Sequence, residues 1–124
     1  MVNDQRVPVA LLIVDDNPRF RLMAARVLAD AGFAVVAEAG DGASALEAAS
    51  VHRPAVALVD LNLPDQSGLD VAERLALGPE PLAVVLTSTH DAADFGDRIQ
   101  RCGARGFIPK AELSGARLME LLAG

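Results

Sequence analysis

At 124 residues, 52% of them hydrophobic, the chain can bury one core but is too short for a second, so one domain over residues 1–124 is expected. A formal net charge of −6, no Trp, no Tyr and only four Phe argue against direct nucleic-acid binding, which needs clustered cations or stacking platforms. Cys102 stands alone, which excludes an internal disulfide, and no apolar stretch approaches the roughly 20 residues of a membrane span, so a cytoplasmic protein without membrane contact is expected.

The first apolar run, 9–14, is continuous, as a strand covered on both faces requires, and it stops at Asp15 and Asp16. Asn17 as N-cap and Pro18 at the first helical position open a helix. Its Phe20, Met23, Ala24, Val27, Leu28 and Ala31 recur at helical spacing, and Gly32 ends it. A second strand, 33–38, turns through Gly40, Asp41 and Gly42 into an Ala-rich helix over 43–52, which Pro54 separates from a third strand. That strand, 56–59, leads to Asp60, and 61–68 must be a loop because Pro64, Asp65, Ser67 and Gly68 are turn formers.

A third helix, 69–77, is stopped by Gly78 and Pro79, and a fourth strand, 82–86, ends at Thr87. The fourth helix is expected to start at Asp91 and to bury Phe95, Ile99 and Cys102, with Gly96 in its interior at a cost of about 1 kcal/mol. Gly103 stops it. The fifth strand, 105–109, contains Pro109, which cannot donate a ladder hydrogen bond and so places this strand at the sheet's edge. Ser114 caps a last helix ending near Ala123.

Alternation of this kind, repeated about five times, implies βα units around a parallel sheet. The carboxyl ends of such strands share one edge, so Asp15, Asp16, Asp60, Thr87 and Lys110 should meet in one crevice. Three carboxylates, a hydroxyl and an ammonium there suit a divalent cation and a phosphoryl group. Taken singly, each residue has an ordinary explanation: a solvated turn, a cap, a strand-end threonine, a surface lysine. Their joint placement favours the site.

Four stretches, 11–17 (LLIVDDN), 58–68 (LVDLNLPDQSG), 84–88 (VVLTS) and 103–110 (GARGFIPK), resemble the receiver domain of bacterial two-component response regulators. The resemblance covers essentially the whole chain. It implies a flavodoxin-like (βα)5 three-layer α/β sandwich with a five-stranded parallel sheet in the order 2-1-3-4-5. It further implies Asp60 as phosphoacceptor, and Asp15, Asp16, Asp60 and the Asn62 backbone carbonyl as ligands of Mg2+ or Mn2+. Thr87 and Lys110 would neutralise phosphoryl oxygens, and Thr87 with Phe107 would form a switch. The donor would be a phosphohistidine on a histidine kinase or a histidine phosphotransfer protein. The output would leave through the face of fourth helix, fifth strand and fifth helix, with homodimerisation there a further expectation. Arg19 and Arg21, on the first helix, are candidates for docking the donor.

Two departures stand out. Lys110 is followed by Ala111, where many receivers have a proline after a cis bond; a non-proline cis bond costs about 3–4 kcal/mol, so a trans bond is expected. Pro109 before the lysine fixes φ near −65° and extends Ile108. Rival functions are weaker. Gly40, Gly42 and Ala45 imitate a dinucleotide loop, but after the second strand and with Asp41 between the glycines. A Mg2+-dependent aspartyl-phosphate phosphohydrolase would need a cap for which the chain has no room, and a phosphorylation-independent scaffold receiver would have no need of all five polar positions. The expected protein is therefore no enzyme beyond its own phosphorylation and dephosphorylation. The runs AEAGDGASAL and DLNLPDQSG resemble receivers that precede a helix-turn-helix domain.

Overall fold

The computed structural model describes residues 7–89 and 95–123. Five strands, β1 (Val9–Val14), β2 (Phe33–Ala39), β3 (Val56–Asp60), β4 (Ala83–Ser88) and β5 (Gly106–Pro109), form one parallel sheet in the order β2-β1-β3-β4-β5. Helices α1 (Pro18–Ala29), α2 (Gly42–His52), α3 (Gly68–Leu77), α4 (Arg98–Arg101) and α5 (Gly115–Ala123) join or follow them, and a short 3-10 turn covers Lys110–Glu112. The flavodoxin-like expectation holds.

Side chains alternate across a strand, so each central strand feeds two cores. Leu11, Ile13, Leu58, Val85 and Ile108 pack with Phe20, Ala24 and Leu28 of α1 and Leu118 of α5. Leu12, Val14, Ala57, Val59, Val84 and Leu86 pack on the other face with Ala45 of α2, Leu69, Val71, Ala72 and Leu75 of α3, and Ile99 and Cys102. Removing each such leucine from water contributes about 1.5–3 kcal/mol. The sheet is thereby fixed from both sides, and its carboxyl edge becomes a rigid platform.

Several boundaries differ from expectation. The buried stripe of α1 is only Phe20, Ala24 and Leu28; Met23 is 40% exposed, Val27 half-buried, and Ala31 lies past the helix end. The cause is i, i+4 spacing against a single neighbouring sheet face, which leaves room for a narrow stripe. Thr87 lies within β4 instead of after it, and Asp60 is the last residue of β3. Gly96 is not inside a helix: it takes a left-handed φ of +58° ahead of α4, a conformation that costs glycine little. The α4 that remains is short, and Asp97 at its start makes no side-chain cap. The expected start at Asp91 lies outside the described residues. At the far side β5 is an edge strand, as Pro109 requires, and no cis peptide bond occurs among the described residues, so the bond from Lys110 to Ala111 is trans. No helix among them is long and apolar enough to cross a membrane.

Candidate functional site

Each arm of the site is held by the strand that delivers it. Asp15 follows β1, is fully buried, and its N–H donates to the Ala39 carbonyl of β2 at 2.9 Å. One carboxylate oxygen, Oδ1, accepts the Asn17 N–H at 2.8 Å, while Asn17 Oδ1 in turn caps α1 by accepting the N–H of Arg19 at 2.9 Å. Asp16 beside it is exposed. Asp60 is buried, in register with Thr87 of β4, and the next amide, Leu61 N–H, donates to the Thr87 carbonyl at 2.9 Å. Carboxylate oxygens of Asp15, Asp16 and Asp60 lie within 4.8 Å of one another. The expected triad is thus brought together.

Lys110 reaches this cluster from the end of β5. Its Nζ stands 2.6 Å from Asp15 Oδ2 and 3.2 Å from Asp60 Oδ2, and 4.5 Å from the centroid of the Phe20 ring. Pro109 and the trans bond after Lys110 therefore leave the lysine in reach. Phe20 is a contributor that its place in the apolar stripe of α1 had concealed: the ring carries the ammonium over its face.

Electrostatics set the chemistry. Burial, above all, and then the Asp15 charge push the Asp60 carboxyl above its ordinary 3.8, against the Asn62 amide and Lys110, which favour the carboxylate. Burial alone would lower the Lys110 ammonium, but its contact with Asp15 and the charges of Asp60 and Asp15 prevail and hold it above 10.5. Three carboxylates against one ammonium leave two negative charges uncompensated when all are ionised. Asp15 Oδ2 is buried, and its partner among the described residues is the Lys110 ammonium. Two unit charges about 4 Å apart repel by about 4 kcal/mol at an effective dielectric of 20, so an added hard cation relieves the cluster. The all-oxygen donor set fits Mg2+, which takes one or two carboxylates and keeps waters.

The remaining candidates divide. Asn62 donates its N–H to Asp60 Oδ1 at 3.1 Å and its amide Nδ2 to Ser88 Oγ at 3.3 Å, so Ser88 joins the pocket wall. The Thr87 hydroxyl is buried and donates to the Ile108 carbonyl at 2.7 Å, which ties β4 to β5. Phe107 is half-buried and packs on the α2–α3 face of the sheet. Arg19 is exposed. Arg21 is engaged internally: Nε pairs with Glu38 at 2.9 Å and Nη1 donates to the Asp15 carbonyl, which buttresses the acidic turn. The apparent dinucleotide loop is instead the start of α2, with Asp41 accepting the Ser44 N–H at 2.7 Å.

The sequence model of the response regulator receiver domain matches residues 11–123. Among curated proteins, the transcriptional regulatory protein PdtaR of Mycobacterium tuberculosis is 32% identical over 130 residues, covering 97% of this chain and 63% of PdtaR. The probable transcriptional regulatory protein NarL of the same organism is 39% identical over 111 residues, covering 89% of this chain and 51% of NarL. The chain therefore spans between half and two thirds of these relatives. The solved signal receiver domain of the M. tuberculosis NarL superposes with a TM-score of 0.84 at 34% identity, covering 96% of this chain and all of that one. A LuxR-family two-component response regulator from Aurantimonas gives 0.82 at 26% identity, with 94% and 86% covered.

Proposed function

The chain belongs to the response regulator receiver domain family, and from that premise we propose that Asp60 accepts a phosphoryl group from a phosphohistidine in a Mg2+-dependent reaction. The observation that carries the proposal is the meeting of Asp15, Asp16 and Asp60 within 4.8 Å, with the Lys110 ammonium 3.2 Å from Asp60. An Asp60 carboxylate oxygen attacks phosphorus, the P–N bond breaks, and its electron pair leaves with the imidazole. Mg2+, held by Asp15, Asp16, Asp60 and the Asn62 carbonyl, would supply charge neutralisation at the phosphoryl oxygens. Lys110 faces a second oxygen as a point charge on the same side. Thr87 exchanges its bond to the Ile108 carbonyl for a phosphoryl oxygen, which loosens β4 from β5 beside Phe107. The left-handed Gly96 and the uncapped α4 next to it are the soft element that relays the change through the α4-β5-α5 face, on which an effector or a second copy would dock.

Intact-mass measurement after incubation with acetyl phosphate is the test. One phosphoryl group per chain is expected with Mg2+ and none with a chelator present. On the modified protein, amide exchange at residues 95–103 should change. No adduct, or sustained turnover of phosphoesters, would overturn the receiver chemistry; unaltered exchange would remove the relay.

Arg19 is the docking residue we assign on α1, since it is exposed, whereas Arg21 is committed to Glu38 and Asp15. Arg19→Glu should slow transfer from a histidine phosphotransfer protein about tenfold while leaving the acetyl phosphate reaction unchanged. Arg21→Glu should slow both, because it disturbs the acidic turn itself. Equal loss with both donors for Arg19→Glu would remove Arg19 as a docking residue.

A further inference from the structure

The loop between β3 and α3, residues 61–67, carries Asn62, and its outer end reaches across to α2. It is held by Asp65. Asp65 Oδ1 accepts the Gly42 N–H at 2.7 Å and Oδ2 accepts the Ala43 N–H at 3.1 Å. These are orphan donors of the first turn of α2, and the next, Ser44 N–H, is taken by Asp41. Two carboxylates thus share one helix start: Asp41 belongs to the helix it caps, and Asp65 comes from another loop. The helix dipole favours negative charge at that place, and the Gly42 hydrogen bond, first among the causes, lowers the Asp65 carboxyl below 3.8. The loop lies flush on the turn, since a Cβ on Gly42 would stand 2.5 Å from the Gln66 side chain.

The same turn also touches the other arm of the site. Ala39, at the end of β2, accepts the Asp15 N–H at 2.9 Å. The segment from Ala39 to Ala43 is therefore a common reference for the Asp15 arm and for the loop that bears Asn62.

We propose that Asp65 is a positioning residue, latching the 61–67 loop onto α2 and so fixing where Asn62 stands beside Asp60 before a cation binds. The proposal rests on Asp60 being a Mg2+-dependent phosphoacceptor. Asn62 already donates its N–H to Asp60 Oδ1 at 3.1 Å, and its carbonyl is the ligand offered to the ion, so a displaced loop misplaces both. Metal affinity should suffer most, since a saturating cation can draw the loop back.

Asp65→Ala, Asp65→Asn and Asp41→Ala in the full chain provide the test, with the acetyl phosphate reaction followed across a Mg2+ titration. Both Asp65 variants should raise the half-saturating Mg2+ concentration about tenfold, the low end for outer partners of a metal site, with the saturated rate close to that of the unaltered chain. The Mg2+-dependent shift in melting temperature should need correspondingly more ion. Asp41→Ala, which weakens the same helix start without touching the loop, should leave half-saturation where it was. Unchanged half-saturation in the Asp65 variants, or an equal rise in Asp41→Ala, overturns the latch. An unaltered chain that shows no Mg2+-dependent phosphorylation overturns the phosphoacceptor assignment, and the latch with it, before any variant is made.

Discussion

Asp60→Asn is expected to yield no phosphoryl adduct under conditions that modify the unaltered chain completely, since the amide is no nucleophile and no other carboxylate replaces it. Asp15 is buried against Lys110, and Asp16 is exposed beside it, but neither sits at the end of β3 with the Asn62 amide on its oxygen. Intact mass with acetyl phosphate and Mg2+ measures this directly. An adduct of equal yield on the Asn variant would place the acceptor elsewhere.

The same substitution should have an opposite effect on stability. The Asp60 carboxyl is held above 3.8, first by burial and then by the Asp15 charge, so its ionised form is less favoured in the folded than in the unfolded chain. Below 3.8 the group is protonated in both states and contributes nothing. As pH rises through the raised folded value, the folded state loses stability. Asp60→Asn removes that loss, so without Mg2+ the variant should melt higher at neutral pH, and the gain should vanish toward acid pH. Added Mg2+ reverses the comparison: at a hundred times its dissociation constant an ion stabilises the protein that binds it by about 2.7 kcal/mol, a gain that should fall largely to the unaltered chain. Thermal melting with and without the ion checks both signs.

Much of this site was legible because strand ends are legible. Continuous apolar runs mark buried parallel strands, and the polar residue that halts each run must lie at their carboxyl edge, which groups Asp15, Asp60 and Lys110 from the sequence alone. What failed was local. Gly96 read as a helix interior because Phe95, Ile99 and Cys102 keep helical spacing on either side, yet spacing does not reveal a positive φ. Arg21 looked like a surface cation because its partners, Glu38 and the Asp15 carbonyl, come from other elements. Asp65 read as a turn former, and its bonds to α2 are bonds of tertiary structure. Helical spacing places Phe20 in the core of α1, but its contact with Lys110 depends on the fold.

Gly68 shows the same gap with the largest consequence for stability. In sequence it was one turn former among four. In the structure a Cβ there would lie 2.1 Å from the Asp60 carbonyl oxygen and 2.6 Å from the Leu61 Cα, both backbone atoms that cannot swing aside. The Gly68 N–H also donates to the Leu61 carbonyl at 2.9 Å, so the start of α3 is pressed against the strand end that bears Asp60. Gly68→Ala must therefore push β3 and α3 apart, at a cost of about 3 kcal/mol, which for a domain of this size lowers the melting temperature by about 10 °C. Because the displaced atoms belong to Asp60 and Leu61, phosphorylation of the fraction that stays folded should slow by about a hundredfold, the penalty of a small misplacement of a reacting group. Gly40→Ala is the matched control, for its Cβ would meet Arg21 Nη1 at an ordinary 3.7 Å, and it should stay within about 0.5 kcal/mol of the unaltered chain. Melting and adduct formation on the two variants decide the matter: if Gly68→Ala behaves like Gly40→Ala, the contact between α3 and the end of β3 does not hold Asp60 in place.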